Sequence, residues 1–260
     1  MQFNIVTPSY NQDKFLVKTI LSVLSQKGGF KLNYQVMDGG STDASKEILK
    51  IFKKKLKYES KKDKGQSDAI NKGIAKFKKI SKSKKAIFAF INSDDYYLPG
   101  AFKKVIEVFK KNPNKMWLIG DCKIIDENNK EIQTLIKIYK KLLRFLPLTW
   151  TLSILNPIAQ PAVFIRQEAV EKIGLLDNKL NFTMDYKYWL ELLREFNEPI
   201  KLRDELSAFR IHNKSKGGAN YEEQFNEELQ VAKNYVKHPL LLTLHKWHNN
   251  IIISIYKFIK

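Results

Sequence analysis

The sequence predicts an α/β fold in which a mostly parallel central sheet is flanked by helices. Short apolar runs that are typical of buried strands alternate with amphipathic runs that are typical of helices, and the connections between them are short. Successive strand–helix–strand units of this kind build parallel sheets with right-handed crossovers. The chain has 260 residues, of which 43% are hydrophobic, and this is enough for one sizeable core.

The predicted elements follow one another along the chain. Strands are predicted over residues 3–8, 33–38, 85–92 and 115–126 and, more weakly, over residues 55–60 and 160–174. Helices are predicted over residues 13–26, 44–56, 67–80, 99–113, 184–196 and 239–260. Pro8 closes the first strand, Thr42 or Asp43 can cap the second helix, and Pro99 suits the first turn of the fourth. The run 85–92 is the strongest strand signal and indicates a central position.

Charge and cysteine content narrow the expected partners and compartment. Lys and Arg number 46 against 27 Asp and Glu, a net charge of +19, which favours phosphate-bearing partners such as nucleotides, anionic lipid or nucleic acid; the alternative is a compositional bias on solvated faces. The single cysteine, Cys122, excludes an intrachain disulfide and fits a reducing compartment. The first residues lack a signal-peptide pattern. We therefore expect a cytoplasmic protein, with the inner face of the membrane as a further possibility.

Unusual polar motifs follow the predicted strands. They are PSYN after the first, DGGSTD after the second, DKGQSDA after the third and NSDD after the fourth. Ligands of open α/β sheets bind at the carboxyl ends of the strands, so these motifs predict one shared crevice. Asp94 and Asp95 within NSDD suit a hard divalent cation, although an adjacent acid pair also occurs in solvated turns. The chain contains neither G-x-G-x-x-G nor a P-loop motif.

The chain resembles the first half of family 2 glycosyltransferases of the GT-A fold in four motifs and in their order: TPSYN (7–11), DGGSTDAS (38–45), DKGQSDAINKG (63–73) and NSDD (92–95). Residues 160–192 and FRIHNKS (209–215) resemble the second half. The resemblance implies a Rossmann-like GT-A catalytic domain over residues 1–215. A C-terminal helical extension, residues 216–260, would follow it.

The resemblance also implies roles for single residues. It assigns five to the nucleotide of the donor: Pro8, Tyr10, Asp38, Asp68 and Asp94. It implies a Mn²⁺ or Mg²⁺ cofactor with Asp95 as direct ligand and His212 beside the metal and diphosphate, although His212 also fits a packing role. It makes Asp185 the catalytic base, whereas the residue pattern alone favours a charge that stabilises a helix N-terminus. The chain departs from the family pattern at Asn92 and Met184, where acids are usual, which leaves open a degenerate scaffold that binds a nucleotide sugar without transferring it.

The function implied is an inverting, metal-dependent transferase that moves a sugar from a nucleotide-sugar donor, a UDP-sugar, to a glycan or lipid-linked acceptor in surface polysaccharide biosynthesis. A basic nucleic-acid-binding module is the alternative class, but the lysine clusters at 52–64 and 76–85 contain few aromatic residues for stacking, so no nucleic-acid partner is expected. The amphipathic segments 134–148 and 239–260 fit either an anionic membrane surface or packing against the catalytic domain or a second subunit in a homo-oligomer.

Overall fold

A single mixed sheet forms the centre of the protein in the computed structural model, which describes residues 1–80, 86–213 and 220–259, with side chains throughout except at 79–80 and 255–259. Within these residues the strands are β1 (Gln2–Ser9), β2 (Lys31–Asp38), β3 (Lys57–Ser60), β4 (Ala86–Phe90), β5 (Tyr96–Tyr97), β6 (Trp117–Ile125), β7 (Val163–Arg166) and β8 (Ile200–Arg210). Their order across the sheet is β3-β2-β1-β4-β7-β6-β8-β5.

The first four strands of that order are parallel, as predicted. Strand β1 pairs in parallel with β2 and β4, and β2 with β3, so Ser9, Asp38 and Ser60 lie side by side at one edge. Strand β7 runs antiparallel to both β4 and β6, and β5 runs antiparallel to β8, whereas β6 and β8 are parallel. The motifs that follow β1, β2 and β3 are therefore neighbours in space.

Helices cover both faces of the sheet. They are α1 (Asp13–Leu24), α2 (Ser45–Phe52), α3 (Gln66–Ile80), α4 (Ala101–Lys111), α5 (Thr134–Phe145), α6 (Leu148–Ile154), α7 (Gln167–Ile173), α8 (Met184–Phe196), α9 (Tyr221–Tyr235) and α10 (Pro239–Ile259). One core lies between the sheet and α3, α7 and α8, and a second lies on the opposite face under α1, α2 and α4. Helix α3 approaches β1 closely, since a Cβ added at Gly73 would lie 2.5 Å from Val6 Cγ2.

The predicted α/β class is confirmed, and residues 160–174 and β8 are among the regions that differ from the sequence-based elements. Residues 160–174 are a 3-10 turn, β7 and α7 rather than one strand, because Pro161 starts the turn and helix α7 begins directly after Arg166. The eleven-residue strand β8 was not predicted. Its first half is only partly buried and carries charged residues, so the apolar run that marks a buried strand is missing.

The C-terminal segment is helical in its described part. Residues of α9 and the start of α10, among them Val231, Ala232 and Leu241, join the core that also contains α8. The proposed domain boundary between residues 215 and 216 lies outside the described residues, so the division into a catalytic domain and an extension stays a prediction. No helix within the described part of the chain has both the length and the apolar character that crossing a membrane requires.

Candidate active site

A cleft of about 640 Å³ opens where the predicted crevice was expected, at the carboxyl ends of β1, β2 and β4. This volume is in the range of small-molecule sites. Four of the residues selected from the sequence line it, namely Pro8, Tyr10, Asp94 and Asp185. The other four, Asp38, Asp68, Asp95 and His212, are not part of its wall. The structure thus brings half of the candidate residues directly to one cavity.

Asp38 is buried and holds the turn that follows β2. Its carboxylate accepts hydrogen bonds from the backbone N–H groups of Gly40 (3.2 Å) and Ser41 (3.0 Å) and from the hydroxyls of Ser41 and Ser60. Both oxygens are therefore occupied within the protein. The neighbouring Gly39 and Gly40 line the cleft in its place. Asp38 therefore supports the cleft wall, and its contact with the base of a nucleotide stays a prediction.

Asp68 lies in the first turn of α3 and faces away from the cleft. It accepts the backbone N–H of Lys64 at 3.0 Å and forms an ion pair with Lys72 at 2.8 Å. The hydrogen bond from Lys72 lowers the pKa of this carboxyl. These contacts stabilise the helix N-terminus, where a negative charge also interacts favourably with the positive end of the helix dipole. A direct contact with a nucleotide, as the resemblance implied, is not indicated by this position.

The two adjacent acids after β4 occupy different environments. Asp94 lines the cleft, and its Oδ2 lies 3.0 Å from Nε2 of the largely buried His212. Asp95 is fully buried; its Oδ1 accepts the backbone N–H of Arg210 at 2.8 Å, and its burial raises the carboxyl pKa well above the usual value. Asp94, and not Asp95, therefore presents its carboxylate to the cleft, because the Asp95 side chain turns into the protein to hold β8.

Arg210 is a buried residue that the sequence analysis did not select. Its guanidinium donates to the backbone oxygens of Asp94 (2.9 Å) and Asp126 (2.7 Å) and to Oδ1 of Asn129 (2.8 Å), and it lies over the ring of Phe15. It thereby ties the acid pair to the loop that follows β6. Arg210 belongs to the quoted FRIHNKS segment, but a single arginine at a strand end gives no signal that it will be buried.

Asp185 lies in the first turn of α8 and lines the cleft. Burial raises its pKa to about 6, although the backbone N–H of Tyr186 donates to Oδ1 at 2.7 Å and the Lys140 ammonium acts in the opposite direction. A carboxyl with this pKa is largely ionised at neutral pH and can still accept a proton, as a general base requires.

The loop before Asp185 is fixed by Glu227 of α9. The Glu227 carboxylate accepts the backbone N–H groups of Asn181 (2.9 Å), Phe182 (2.8 Å) and Thr183 (2.8 Å). Asn181 and Phe182 line the cleft, so α9 shapes a wall that no motif predicted. This contact joins residues 46 positions apart, and nothing in the local sequence around Glu227 indicates it.

Further residues of the cleft wall belong to sequence motifs in which a different residue was expected to bind the nucleotide. They include Asp63 and Gln66 of DKGQSDA, and the Gln66 side-chain amide donates to Oδ1 of Asn92 at 2.6 Å. A Cβ at Gly39 would lie 2.9 Å from Asp63 Oδ2, so the glycine permits the two loops to meet. Asn92 stands where the family pattern usually has an acid, and its side chain accepts this hydrogen bond within the wall of the cleft.

Comparisons with known proteins agree with this arrangement. The family model described as glycosyl transferase family 2 matches residues 4–174. A glycosyltransferase of unassigned specificity from Rickettsia felis is 26% identical over 86% of this chain, which spans 36% of that relative. The minor teichoic acid biosynthesis protein GgaA of Bacillus subtilis is 34% identical over 41% of this chain and 24% of its own length. The chain thus spans about a third of the length of its first curated relatives.

Two solved structures share the fold at low identity. Residues 1–349 of S. aureus TarS in complex with UDP-GlcNAc superpose with a TM-score of 0.64 at 16% identity, covering 98% of this chain and 71% of that one. The mannosyltransferase PcManGT from Pyrobaculum calidifontis in complex with GDP-Man and Mn²⁺ gives a TM-score of 0.68 at 11% identity, covering 96% and 68%. At such identities the likeness establishes the architecture alone.

Proposed function

Because the chain belongs to glycosyl transferase family 2 and has the GT-A fold, we propose that it transfers a sugar with inversion from a UDP-sugar to a glycan or lipid-linked acceptor at the cytoplasmic face of a membrane. The observation that carries this proposal is the single cleft whose walls hold both Asp94, paired with His212, and Asp185. A role in surface polysaccharide synthesis is supported by the name of GgaA, and the UDP-sugar by the ligand of TarS.

The donor nucleotide would lie against the ends of β1 and β2. Pro8 and Tyr10 form this wall with Gly39 and Gly40, and Asp38 fixes their backbone from behind. Tyr10 is more than half exposed, so its ring is free to stack on a flat base. Asp63 presents a carboxylate to the same part of the cleft.

A divalent cation fits the Asp94–His212 pair. A carboxylate oxygen and an imidazole nitrogen 3.0 Å apart are both ligand types of Mn²⁺, and an oxygen-rich site completed by substrate phosphates needs only one or two protein carboxylates. Within the described residues no cluster of three metal-ligating side chains exists, so a diphosphate would have to complete the site. When bound, such a cation neutralises the charge that develops on the diphosphate leaving group.

Asp185 would act as the base of a single displacement. The acceptor hydroxyl oxygen attacks the anomeric carbon, the bond from that carbon to the diphosphate oxygen breaks, and the hydroxyl proton passes to the Asp185 carboxylate. One such step inverts the anomeric configuration. The raised pKa of about 6 suits this role, because the carboxylate is more basic than an ordinary aspartate and yet ionised at pH 7.

The test is a panel of nucleotide sugars assayed by thermal stabilisation with and without Mn²⁺, and by slow donor hydrolysis. Asp94→Asn should remove the Mn²⁺-dependent part of donor binding, whereas Asp185→Asn should retain binding and lose about 10²–10⁴-fold in turnover. Asp204→Asn, which removes an exposed partner of Lys104 far from these side chains, is the matched control. Donor binding without any turnover would favour the degenerate scaffold, and full transfer by Asp185→Asn would refute the assigned base.

A further inference from the structure

Helix α5 is amphipathic with its polar face turned inward. Lys137 pairs with Glu205 of β8 at 3.2 Å, Lys141 pairs with Asp121 of β6 at 2.7 Å, and Arg144 reaches the same buried Asp121. These positions follow one another at helical spacing and form the side that contacts the sheet. The apolar positions therefore face outward, and Leu135 is 82% exposed. Helices at a protein surface ordinarily show the reverse orientation.

Helix α10 repeats this reversal. His245 and Asn249 are buried, where His245 Nδ1 lies 3.1 Å from the backbone oxygen of Ser153 and Asn249 donates to that of Phe225 at 3.0 Å. Trp247, on the other side of the helix, is 64% exposed. These inward polar contacts leave Leu240 and Trp247 exposed, whereas Leu241 and Leu242 pack against the core.

The reversed helices are neighbours. Helix α6 packs against both α5 and α10, and the Tyr139 hydroxyl lies 3.3 Å from His248 Nε2 across the α5–α10 boundary. Among side chains that the structure describes, nine large hydrophobic ones are more than half exposed, and six of these nine belong to α5, α6, α10 and the α5–α6 connection. We call these six the outer apolar face: Leu135, Leu142, Leu146, Trp150, Leu240 and Trp247.

Charge identifies the surroundings that this face fits. Residues 132–167 and 229–260 contain ten Lys and Arg and neither Asp nor Glu, although the chain has 27 acids in total. Three of the ten, Lys137, Lys141 and Arg144, are paired inward with acids of the sheet, whereas Lys233, Lys237 and Lys246 are exposed and supply the positive charge beside the face. Lysine is depleted at the centres of protein–protein interfaces, whereas exposed tryptophan and leucine with adjacent lysines are typical of elements that lie in the interface of an anionic bilayer.

We propose that the outer apolar face docks on an anionic phospholipid surface, with α5, α6 and α10 lying against the headgroup region. The face is also coupled to the cleft, since the Tyr186 hydroxyl, next to Asp185 in α8, donates to the backbone oxygen of Leu152 in α6 at 2.5 Å. Delivery of a membrane-held acceptor to Asp185 rests on the proposed function. The docking itself does not depend on it and is measured without donor or acceptor.

The first test is cosedimentation of the full chain with vesicles of phosphatidylcholine alone and of phosphatidylcholine with phosphatidylglycerol. The wild type should bind the anionic vesicles and dissociate as ionic strength rises. The double variant Leu142→Asp, Trp247→Asp should partition at least about tenfold less, because burial of either side chain contributes about tenfold or more. Ile51→Asp, which changes a 77% exposed residue of the distant α2, should bind as the wild type does.

Intrinsic fluorescence gives a second readout that needs no charged substitution. Of the four tryptophans, Trp117 and Trp189 are fully buried, whereas Trp150 and Trp247 belong to the outer apolar face. Anionic vesicles should therefore shift the wild-type emission to shorter wavelength, and the variant Trp150→Phe, Trp247→Phe should lose that shift while it retains binding.

Three outcomes would overturn the proposal. They are absence of wild-type binding to anionic vesicles, binding of the double aspartate variant at the wild-type level, and a wild-type dimer in sedimentation equilibrium that the double variant dissociates and vesicles do not. The last would assign the face to a second copy of the chain. Donor hydrolysis in vesicle-free buffer reports separately on the proposed function, so failure of one leaves the other intact.

Discussion

The acid limb of the pH–turnover profile is expected to report the carboxyl of Asp185. With a pKa of about 6, the ionised fraction is roughly ten-elevenths at pH 7 and one-eleventh at pH 5, so kcat/KM should fall about tenfold between these values. An ordinary exposed aspartate would remain almost fully ionised over the same range. The size of the fall thus measures how strongly the protein desolvates this one group.

Two neighbouring charges allow the midpoint to be moved in opposite directions. The Lys140 ammonium lowers the pKa of Asp185 and the Glu227 carboxylate raises it. Lys140→Met should therefore shift the acid limb to higher pH, and Glu227→Gln should shift it to lower pH. Glu228 titrates in the same pH range, because burial raises its pKa to about 7. Glu228→Gln is therefore needed as a third variant, and its pH profile should retain the acid limb.

The assay is kcat/KM for the donor between pH 5 and pH 8 for the wild type and these three variants, with Asp204→Asn as the unaffected reference. Thermal unfolding at each pH excludes loss of folded protein as the cause of a fall. The assignment would be refuted by a limb centred near pH 4, by disappearance of the limb in Glu228→Gln, or by shifts of Lys140→Met and Glu227→Gln in the same direction.

Three further predictions concern stability and donor binding. Folding raises the pKa of Asp185 from 3.8 to about 6, so ionised Asp185 weakens folding progressively as pH rises through that interval, and Asp185→Asn should melt at a higher temperature than the wild type near pH 7.5. Asp68→Asn removes the ion pair with Lys72 outside the cleft and should leave donor affinity within about twofold of the wild type by titration calorimetry, with a stability loss below ~1 kcal/mol. Gly73→Val places a larger side chain where a Cβ alone would lie 2.5 Å from Val6 Cγ2. It should lower the free energy of unfolding in urea by about 1–3 kcal/mol and leave the midpoint of the acid limb unchanged.

Local patterns were sufficient for the part of the fold in which neighbours in sequence are neighbours in space. The units β1–α1–β2 and β2–α2–β3 have short connections, and parallel pairing places their ends at one edge, so the crevice and the positions of Pro8, Tyr10 and Asp94 could be predicted. The family resemblance supplied Asp185, for which the residue pattern alone favoured a helix N-terminal charge.

The remaining features depend on contacts between distant segments. Asp38 and Asp68 have the same sequence character as Asp94, and only their partners, Ser60 for one and Lys72 for the other, decide that they do not face the cleft. Glu227 and Arg210 act on the site through backbone groups, which carry no sequence signature. The sequence correctly indicated that α5 is amphipathic, but an amphipathic pattern does not show which side of the helix packs against the rest of the protein.

The division of work between Asp94 and Asp95 explains why the chain carries both acids after β4. Two ionised carboxylates in adjacent positions repel each other, and burial raises the pKa of Asp95 well above the usual value, with the Asp94 charge acting in the same direction. Asp95 is therefore the member of the pair whose ionisation the protein disfavours, whereas the partly exposed Asp94 lines the cleft. Asp95 anchors the backbone of Arg210, whose guanidinium in turn binds the backbone oxygen of Asp94. The buried acid thus fixes the position of the acid that faces the cleft.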